Sequence, residues 1–365
     1  MKTPQPLPEE LRGRPFTLSD ASVAGVSPRR WRHGSLTYRG RGIRMEGPTA
    51  ELALGARVRP FIEVNELCAA SHVTAAELHS LPQRRRDEVS DVYHLIRPEG
   101  AAYLDRPHVI VHRMKLYGDE VTAMDGLPVT TPARTWLDMA GLLSVDELVV
   151  MGDACVRVPR PDFEGRDMPL CSTRDLQRTI DRHRGKRGLR KAKEALALIR
   201  VGADSPQETL LRLAIVRAGL PEPELNVPII TEDGARHHEP DLSYRKYKIG
   251  IEYEGGHHGE DSQIARDITR SERYAALGWT EVRISKRHMV NDAKPAAAKV
   301  LVALARPAGE GVLKNDCCVL VVLTVQNDKY AAVDREAVGR ISRSTSGGSP
   351  RGLRGGRPGT GPPRR

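Results

Sequence analysis

The stretch Lys248–His258, KIGIEYEGGHH, decides the fold of the C-terminal half of the chain. Side chains alternate between the two faces of a β-strand, so the apolar residues of this run share one face. Glu252 and Glu254 share the other face, roughly 6.6 Å apart along the strand. Glycines and histidines follow at once. The pattern predicts a strand that is buried on one side and carries paired carboxylates on the other.

The residues around this strand, 205–304, predict one compact α/β unit with the order α-β-β-β-α-β-α. A turn at 232–234 (Glu-Asp-Gly) separates the first two strands. The predicted segments are, in order, helix 205–219, strands 227–231, 236–243 and 248–254, helix 263–277, strand 281–284 and helix 292–304.

Acidic residues of this unit are expected to meet. Asp241 follows Pro240 on the preceding strand, and antiparallel pairing would place it beside Glu252 and Glu254; Glu208 lies on the buried face of the first helix. Crowded carboxylates repel one another unless a divalent cation binds between them, and oxygen ligands favour Mg²⁺ or Mn²⁺. Asp241, Glu252 and Glu254 are therefore the candidate metal ligands.

His257 and His258 add groups that titrate near neutrality and can move a proton. A metal, carboxylates and a histidine beside a basic surface suit phosphodiester hydrolysis. Each group also has a purely structural interpretation. Glu208 completes a capping box with Ser205, Asp241 is a turn residue, the two glutamates form a solvated strand face, and the histidines belong to an idle loop.

Residues 205–290 resemble the PD-(D/E)xK nuclease superfamily, in the branch related to very-short-patch-repair endonucleases. The matching motifs are SPxE (205–208), GLP (219–221), PD (240–241), EYEG (252–255), His258, RD (266–267) and GWxxxR (278–283). The resemblance implies a Mg²⁺-dependent nuclease in which Asp241 and Glu252 hold the metal, Glu208 supports it and His258 acts near the scissile phosphate.

Glu254 departs from that pattern. The superfamily has a catalytic lysine at this position, and the most similar branch usually has aspartate. Because Mg²⁺ tolerates little geometric error, the longer side chain would weaken metal binding or require a rearrangement. A catalytically inactive nuclease fold is therefore the alternative.

The charge of the 365-residue chain, +10 in total, is concentrated in three stretches. Residues 12–46 hold eight arginines against two acids, residues 172–200 hold ten Lys or Arg against three acids, and residues 341–365 hold six arginines and no acid. This basicity predicts a polyanionic partner, DNA first. The 172–200 stretch suits either contact with a phosphate backbone or a solvated linker helix broken at its glycines.

The first basic stretch predicts a helix, a turn, a second helix beginning at Ser27-Pro28, and a hairpin over 36–45. Arg29, Arg30 and Arg32 lie on the second helix, where a helix-turn-helix presents its DNA-contacting residues. They are the candidate DNA-binding residues. A small helical hairpin with solvated arginines is the alternative.

This segment resembles the winged helix of AbiEi-type antitoxins. The middle of the chain is similar to actinobacterial proteins that join such a domain to a nuclease-like C-terminus, through the motifs SHxTAAxL (71–78), LPVTTPART (127–135) and DEL (146–148). The resemblance implies DNA-targeted regulation or defence.

The predicted fold class is α/β: a restriction-endonuclease-like αβββαβ C-terminal domain preceded by a winged-helix-like N-terminal domain and a mixed α/β middle domain. The expected domains are a winged-helix-like DNA-binding segment 1–55, an antitoxin-like middle domain 56–170, a basic linker helix 171–204, an endonuclease-like domain 205–306 and a poorly ordered tail 307–365.

The remaining features narrow the class of protein. No run of about 18 apolar residues predicts a membrane span, and no apolar segment of secretory type begins the chain, so we expect a cytoplasmic protein. The five cysteines form no C-x-x-C pair and are expected to be small buried apolar residues. The sequence leads to a DNA-binding protein with a Mg²⁺- or Mn²⁺-dependent endonuclease-like domain. The alternative is an AbiEi-type antitoxin or regulator with an inactive nuclease fold, and a homodimer remains open in both cases.

Overall fold

The structure is a computed structural model that describes residues 4–47, 52–83, 91–160, 164–255 and 261–305. These residues form eleven α-helices and twelve strands in three sheets, a mixed α/β architecture. Among them, no helix combines the length and the apolar character that a membrane span requires. The predicted tail 307–365 lies outside the described residues.

The N-terminal segment has the predicted order of two helices followed by a hairpin. Its elements are β1 (Phe16–Thr17), α1 (Leu18–Val23), α2 (Pro28–Trp31), β2 (Thr37–Gly40) and β3 (Ile43–Met45). The strands form an antiparallel sheet in the order β1-β3-β2. Thr17 caps α1 through a reciprocal capping box, and the Ser27 hydroxyl caps α2, which is only four residues long.

The middle segment packs helices against a five-stranded sheet of order β6-β5-β4-β8-β7. Its elements are α3 (Leu54–Glu63), β4 (Ala69–Ala70), α4 (His72–Leu78), β5 (Tyr93–Pro98), β6 (Val109–Met114), β7 (Val121–Met124), β8 (Leu127–Thr130), α5 (Pro132–Met139), α6 (Val145–Val156), α7 (Thr173–Arg182) and α8 (Leu189–Leu198).

Helices α7 and α8 are part of this middle core, although the sequence predicts a linker at 171–204. Leu176 and Ile180 of α7 and Ala192 of α8 are buried with Trp136 of α5 in one apolar cluster. The predicted break between the two helices is present. Gly188 there has φ of +85°, and a Cβ at this position would lie 2.4 Å from the backbone of Ala140. The basic segment is therefore a packed helical pair with one charged face.

The C-terminal unit has the predicted succession of helices and strands apart from its first hairpin. Its elements are α9 (Pro206–Arg217), β9 (Glu224–Leu225), β10 (Leu242–Tyr244), β11 (Ile249–Glu254), α10 (Asp261–Ala276), β12 (Thr280–Ser285) and α11 (Val290–Ala305). The sheet order is β12-β11-β10-β9, with β11 and β12 parallel and the other pairs antiparallel. Apolar residues of α9 and α11 pack with Ile251 of β11 and Ile284 of β12 in one core.

The predicted hairpin of strands 227–231 and 236–243 is wrong in its extent. An isolated bridge joins Ile230 to Arg236, and only 242–244 continue as strand β10. Residues 232–237 are exposed and mostly polar or charged. Without an apolar face to bury, this segment has no packing that would support a longer ladder.

A buried ion pair joins the middle segment to the C-terminal unit. Arg212 of α9 lies 3.0 Å from Asp153 of α6, and both side chains are 1% exposed. The Thr209 hydroxyl and the Arg200 backbone N–H also donate to the Asp153 carboxylate, at 2.9 and 2.8 Å. Apolar residues of α9 lie in the core of the middle segment and in the core of the C-terminal unit, so this helix packs against both.

Candidate functional site

The antiparallel pairing of β10 with β11 places Asp241 next to Glu252. Leu242 is opposite Ile251 in the antiparallel register, so Asp241, the residue before β10, lies opposite Glu252 of β11. The Asp241 carboxylate accepts the backbone N–H of Tyr253 at 2.7 Å. This is the juxtaposition that the sequence pattern predicts.

Glu208 of α9 faces the same region and is buried, 5% exposed. Its carboxylate accepts the backbone N–H of Asp204 at 2.8 Å and the side-chain amide of Asn226 at 2.9 Å. The Ser205 hydroxyl accepts the backbone N–H of Glu208, which is one half of the predicted capping box. Burial raises the pKa of Glu208 above its usual value.

Glu252 is buried and accepts two hydrogen bonds on one oxygen. The Tyr274 hydroxyl of α10 donates to Oε1 at 2.6 Å, and His238 Nε2 lies 2.6 Å from the same atom. Sequence reasoning missed both partners. A signal for Tyr274 is Gly250, since a Cβ there would lie 2.4 Å from the tyrosine hydroxyl.

The acids form one electrostatic cluster centred on Asp241. Burial first, and then the negative charges of Glu252 and Glu208, raise the pKa of Asp241 to about 7, against the opposing effect of the Tyr253 N–H. A carboxyl group that titrates near neutrality, next to a histidine and a buried tyrosine, can exchange a proton at physiological pH.

Glu254 stands apart from this cluster. Glu254 lies 3.4 Å from Arg283 and 3.8 Å from Arg270, so its charge is balanced by arginines that also bind Glu281. His257 and His258 lie outside the described residues.

The divalent cation that the resemblance implies does not fit this arrangement. One oxygen of Glu252 is already bound by Tyr274 and His238, and Glu254 is held by arginines. Within the described ranges, no group of three or more His, Cys, Asp or Glu side chains is placed to hold a metal ion. Binding Mg²⁺ or Mn²⁺ at Asp241, Glu252 and Glu254 would first require these contacts to be exchanged, so no reaction step is derived through a metal.

The three candidate DNA-binding arginines point in different directions. Arg30 is 7% exposed and donates to the backbone oxygen of Gln5, to the Ser35 hydroxyl and to Glu46, at 2.6 to 2.8 Å. These hydrogen bonds hold the N-terminal segment together, and the buried Arg30 side chain is not placed to contact DNA. Arg29 and Arg32 are exposed on either side of it.

A cluster of three histidines lies in the middle segment. The rings of His72 and His112 are stacked with centroids 3.6 Å apart, and His94 Nδ1 lies 3.0 Å from His112 Nε2. The sequence does not predict this cluster, because its members are far apart in the chain, on α4, β5 and β6. Burial lowers the pKa of His72 to about 3, with the nearby charges of Asp138 and Lys186 acting in opposite directions.

We expect His72→Asn to reduce the pH dependence of stability. The folded-state pKa of His72 lies below the unfolded value of about 6.5, so the stabilising contribution of neutral His72 is present above pH 6.5 and is lost as the pH falls towards 3. Between pH 7 and pH 5 the native chain should lose about 2 kcal/mol more than the variant, measured by urea unfolding. Asparagine tolerates the positive φ of this position, +47°.

His237→Asn is the matched control, because His237 is exposed. It should leave the pH dependence unchanged. An equal loss of stability between pH 7 and pH 5 in the native chain and in His72→Asn would contradict the assignment of this pH dependence to His72.

Comparison with known proteins identifies part of the chain. The model of the family described as AbiEi antitoxin C-terminal domain matches residues 68–148. Two uncharacterized proteins from two strains of Mycobacterium tuberculosis are each 28% identical over 202 residues, which is 55% of this chain and 69% of the relative. The family match covers α4 to α5 and the histidine cluster and ends upstream of the acidic cluster. The antitoxin-like resemblance of the middle segment is thus confirmed: residues 68–148 are similar to the C-terminal domain of AbiEi antitoxins.

Proposed function

We propose that the chain is a DNA-binding regulator of the AbiEi antitoxin type that acts in the cytoplasm. The observation that carries the proposal is the match of residues 68–148 to the AbiEi antitoxin C-terminal domain. In this proposal the middle segment has an antitoxin role, and the preceding residues act as its DNA-binding winged helix.

The geometry of the N-terminal segment supports this role. Two short helices are followed by a hairpin, and Arg29, Arg32 and Arg41 are exposed on them. Arg44 of the hairpin stacks on Tyr38 and on Trp31, 4.8 and 5.3 Å from the ring centroids, which ties the hairpin to α2. Exposed cations on a helix and a hairpin that are held together suit binding of one duplex by both elements.

We expect the double substitution Arg29→Ala/Arg32→Ala to weaken DNA binding by the full-length chain roughly tenfold to hundredfold. Each arginine that binds a phosphate releases about one counterion, so the slope of log K against log salt concentration should also fall by about two. The measurement is fluorescence anisotropy, with duplexes selected from a random library by the native chain. Light scattering on the same samples gives the oligomeric state and tests for a homodimer.

Arg245→Ala is the control for this double variant, because Arg245 is an exposed arginine that lies outside the three basic stretches and pairs with Glu224. It should bind the selected duplex as the native chain does. Selection of no duplex at low salt, or unchanged binding by the double variant, would count against the proposal.

Phosphodiester hydrolysis at the acidic cluster is the second candidate function. It is favoured by the proximity of Asp241, Glu252 and Glu208 and by the pKa of Asp241, near 7. In this proposal the C-terminal unit has a restriction-endonuclease-like fold, and Asp241 and Glu252 would hold a divalent cation only if Glu252 exchanged its contacts with His238 and Tyr274. Plasmid cleavage in Mg²⁺ or Mn²⁺ that Asp241→Asn abolishes would support it. Equal cleavage by both proteins, or by neither, would reject it.

A further inference from the structure

Two cysteines of the described residues lie against each other. Cys155 is fully buried near the end of α6, and Cys171 is partly exposed just before the N-cap of α7. The backbone N–H of Cys171 donates to the carbonyl oxygen of Cys155 at 3.1 Å, and the neighbouring Cys171 side chain raises the pKa of the Cys155 thiol. The sequence predicts only isolated buried thiols.

This contact has the closeness that a disulfide needs. Disulfide-bonded cysteines have Cα atoms about 4.4–6.8 Å apart. The backbones of Cys155 and Cys171 are already hydrogen-bonded to each other, so little movement of the backbone is needed to join the side chains.

Small solutes can reach the neighbourhood of the pair. A cavity of about 490 Å³ is lined by Ala154 and Leu170, the chain neighbours of the two cysteines, and by Arg166. The hydrogen bond to Cys171, and then burial, raise the pKa of the Cys155 thiol. Cys155 is buried and Cys171 is partly exposed, so the two thiols differ in accessibility.

We propose that Cys155 and Cys171 form a reversible disulfide on exposure to hydrogen peroxide, a modification site that joins the end of α6 to the start of α7. The Cys171 thiolate attacks one peroxide oxygen, the O–O bond breaks, and the departing oxygen leaves as water after taking up a proton. Cys171 becomes a sulfenic acid. The Cys155 sulfur then attacks the sulfenic sulfur, the S–O bond breaks, and the thiol proton leaves with the hydroxyl as a second water. Two thiols are oxidised by two electrons, and one peroxide is reduced.

The cross-link would lie close to the ion pair that joins the middle segment to the C-terminal unit. Asp153, two residues before Cys155, holds Arg212 of α9. A disulfide that closes the loop between Cys155 and Cys171 limits the freedom of the unfolded chain and holds the end of α6 in place. The oxidised protein is expected to melt roughly 5 °C higher than the reduced protein.

The test uses the full chain with Cys317→Ser/Cys318→Ser, because those two cysteines lie outside the described residues and would complicate the chemistry. After hydrogen peroxide treatment, intact mass should fall by about 2 Da, peptide mapping should show a 155–171 cross-link, and dithiothreitol should reverse both changes. Cys171→Ser in this background should abolish the cross-link. Cys68→Ser should leave it intact, since Cys68 is buried elsewhere.

Two results would overturn the proposal. One is a folded, peroxide-treated chain that keeps both thiols. The other is oxidation of Cys171 to the sulfinic acid while Cys155 stays reduced. Circular dichroism of each sample establishes that the chain is folded, and the readout involves no DNA, so its outcome is independent of the proposed function.

Discussion

Replacing Arg212 by methionine is expected to lower the free energy of unfolding by about 3–5 kcal/mol. The substitution leaves the Asp153 carboxylate buried with only the Thr209 hydroxyl and the Arg200 N–H as partners. Removing one partner of a buried ion pair costs this much because the charge that remains is buried and unpaired. Urea unfolding followed by circular dichroism measures the change.

The same helix supplies the control. Arg217 of α9 pairs with Asp146 but is half exposed, so Arg217→Ala should cost less than about 1 kcal/mol. The double variant Asp153→Leu/Arg212→Met should recover part of the loss, since it leaves no unpaired charge. A cost below about 1 kcal/mol for Arg212→Met would show that the junction does not depend on this pair.

Replacing Asp241 by asparagine is expected to stabilise the protein at pH 8 by on the order of 2–4 kcal/mol. The folded-state pKa of Asp241, about 7, lies above the usual value of 3.8. The folded chain therefore holds a proton that the unfolded chain releases between pH 3.8 and 7, and stability falls as the pH rises through this range. Asparagine can still accept the Tyr253 N–H and carries no charge, so the gain should vanish near pH 4.

The sign of this change separates two roles for Asp241. A turn residue held by its hydrogen bond would lose stability on substitution, whereas a member of a strained acidic cluster gains it, as residues selected for function often do. Asp233→Asn is the control, because hydrogen bonds from Thr231 and from the Ala235 N–H lower the pKa of this exposed carboxyl. It should show a small change of the opposite sign. A loss of stability for Asp241→Asn at pH 8 would favour the turn interpretation.

The central strand of the C-terminal unit could be predicted from the sequence because its signal is local. Alternating apolar and acidic residues over 248–254 specify a strand and its two faces, and the structure has β11 there. The placement of Asp241 opposite Glu252 follows from the same pattern once the two strands pair. Periodicity and strand register were therefore enough for the core of the acidic cluster.

The partners of the acidic residues could not be predicted because they are set by packing between distant segments. Tyr274 reaches Glu252 from a helix that crosses over the strand, and His238 reaches it from a loop. Arg270 and Arg283 neutralise Glu254 from α10 and β12. Such contacts depend on helix rotation and strand order, which a single sequence does not encode locally.

The orientation of the N-terminal arginines could not be predicted from the sequence either. Three basic residues in a row of four look equivalent in the sequence, but on a single turn of helix they point in different directions. Arg30 turns inward to Glu46, while Arg29 and Arg32 face outward. Net charge marks the segment as basic but does not show which of its charges meet solvent.

The parallel pairing of β11 with β12 has a consequence for the order in which the protein is made. Residues 241–254 leave the ribosome with their antiparallel partners already present, but the other edge of β11 stays open until residues 280–285 follow. An open edge on an apolar strand is a template for pairing with other chains. During synthesis, the strand that carries Glu252 is thus exposed to aggregation for about thirty residues, and a pause in translation after residue 254 would lengthen that interval.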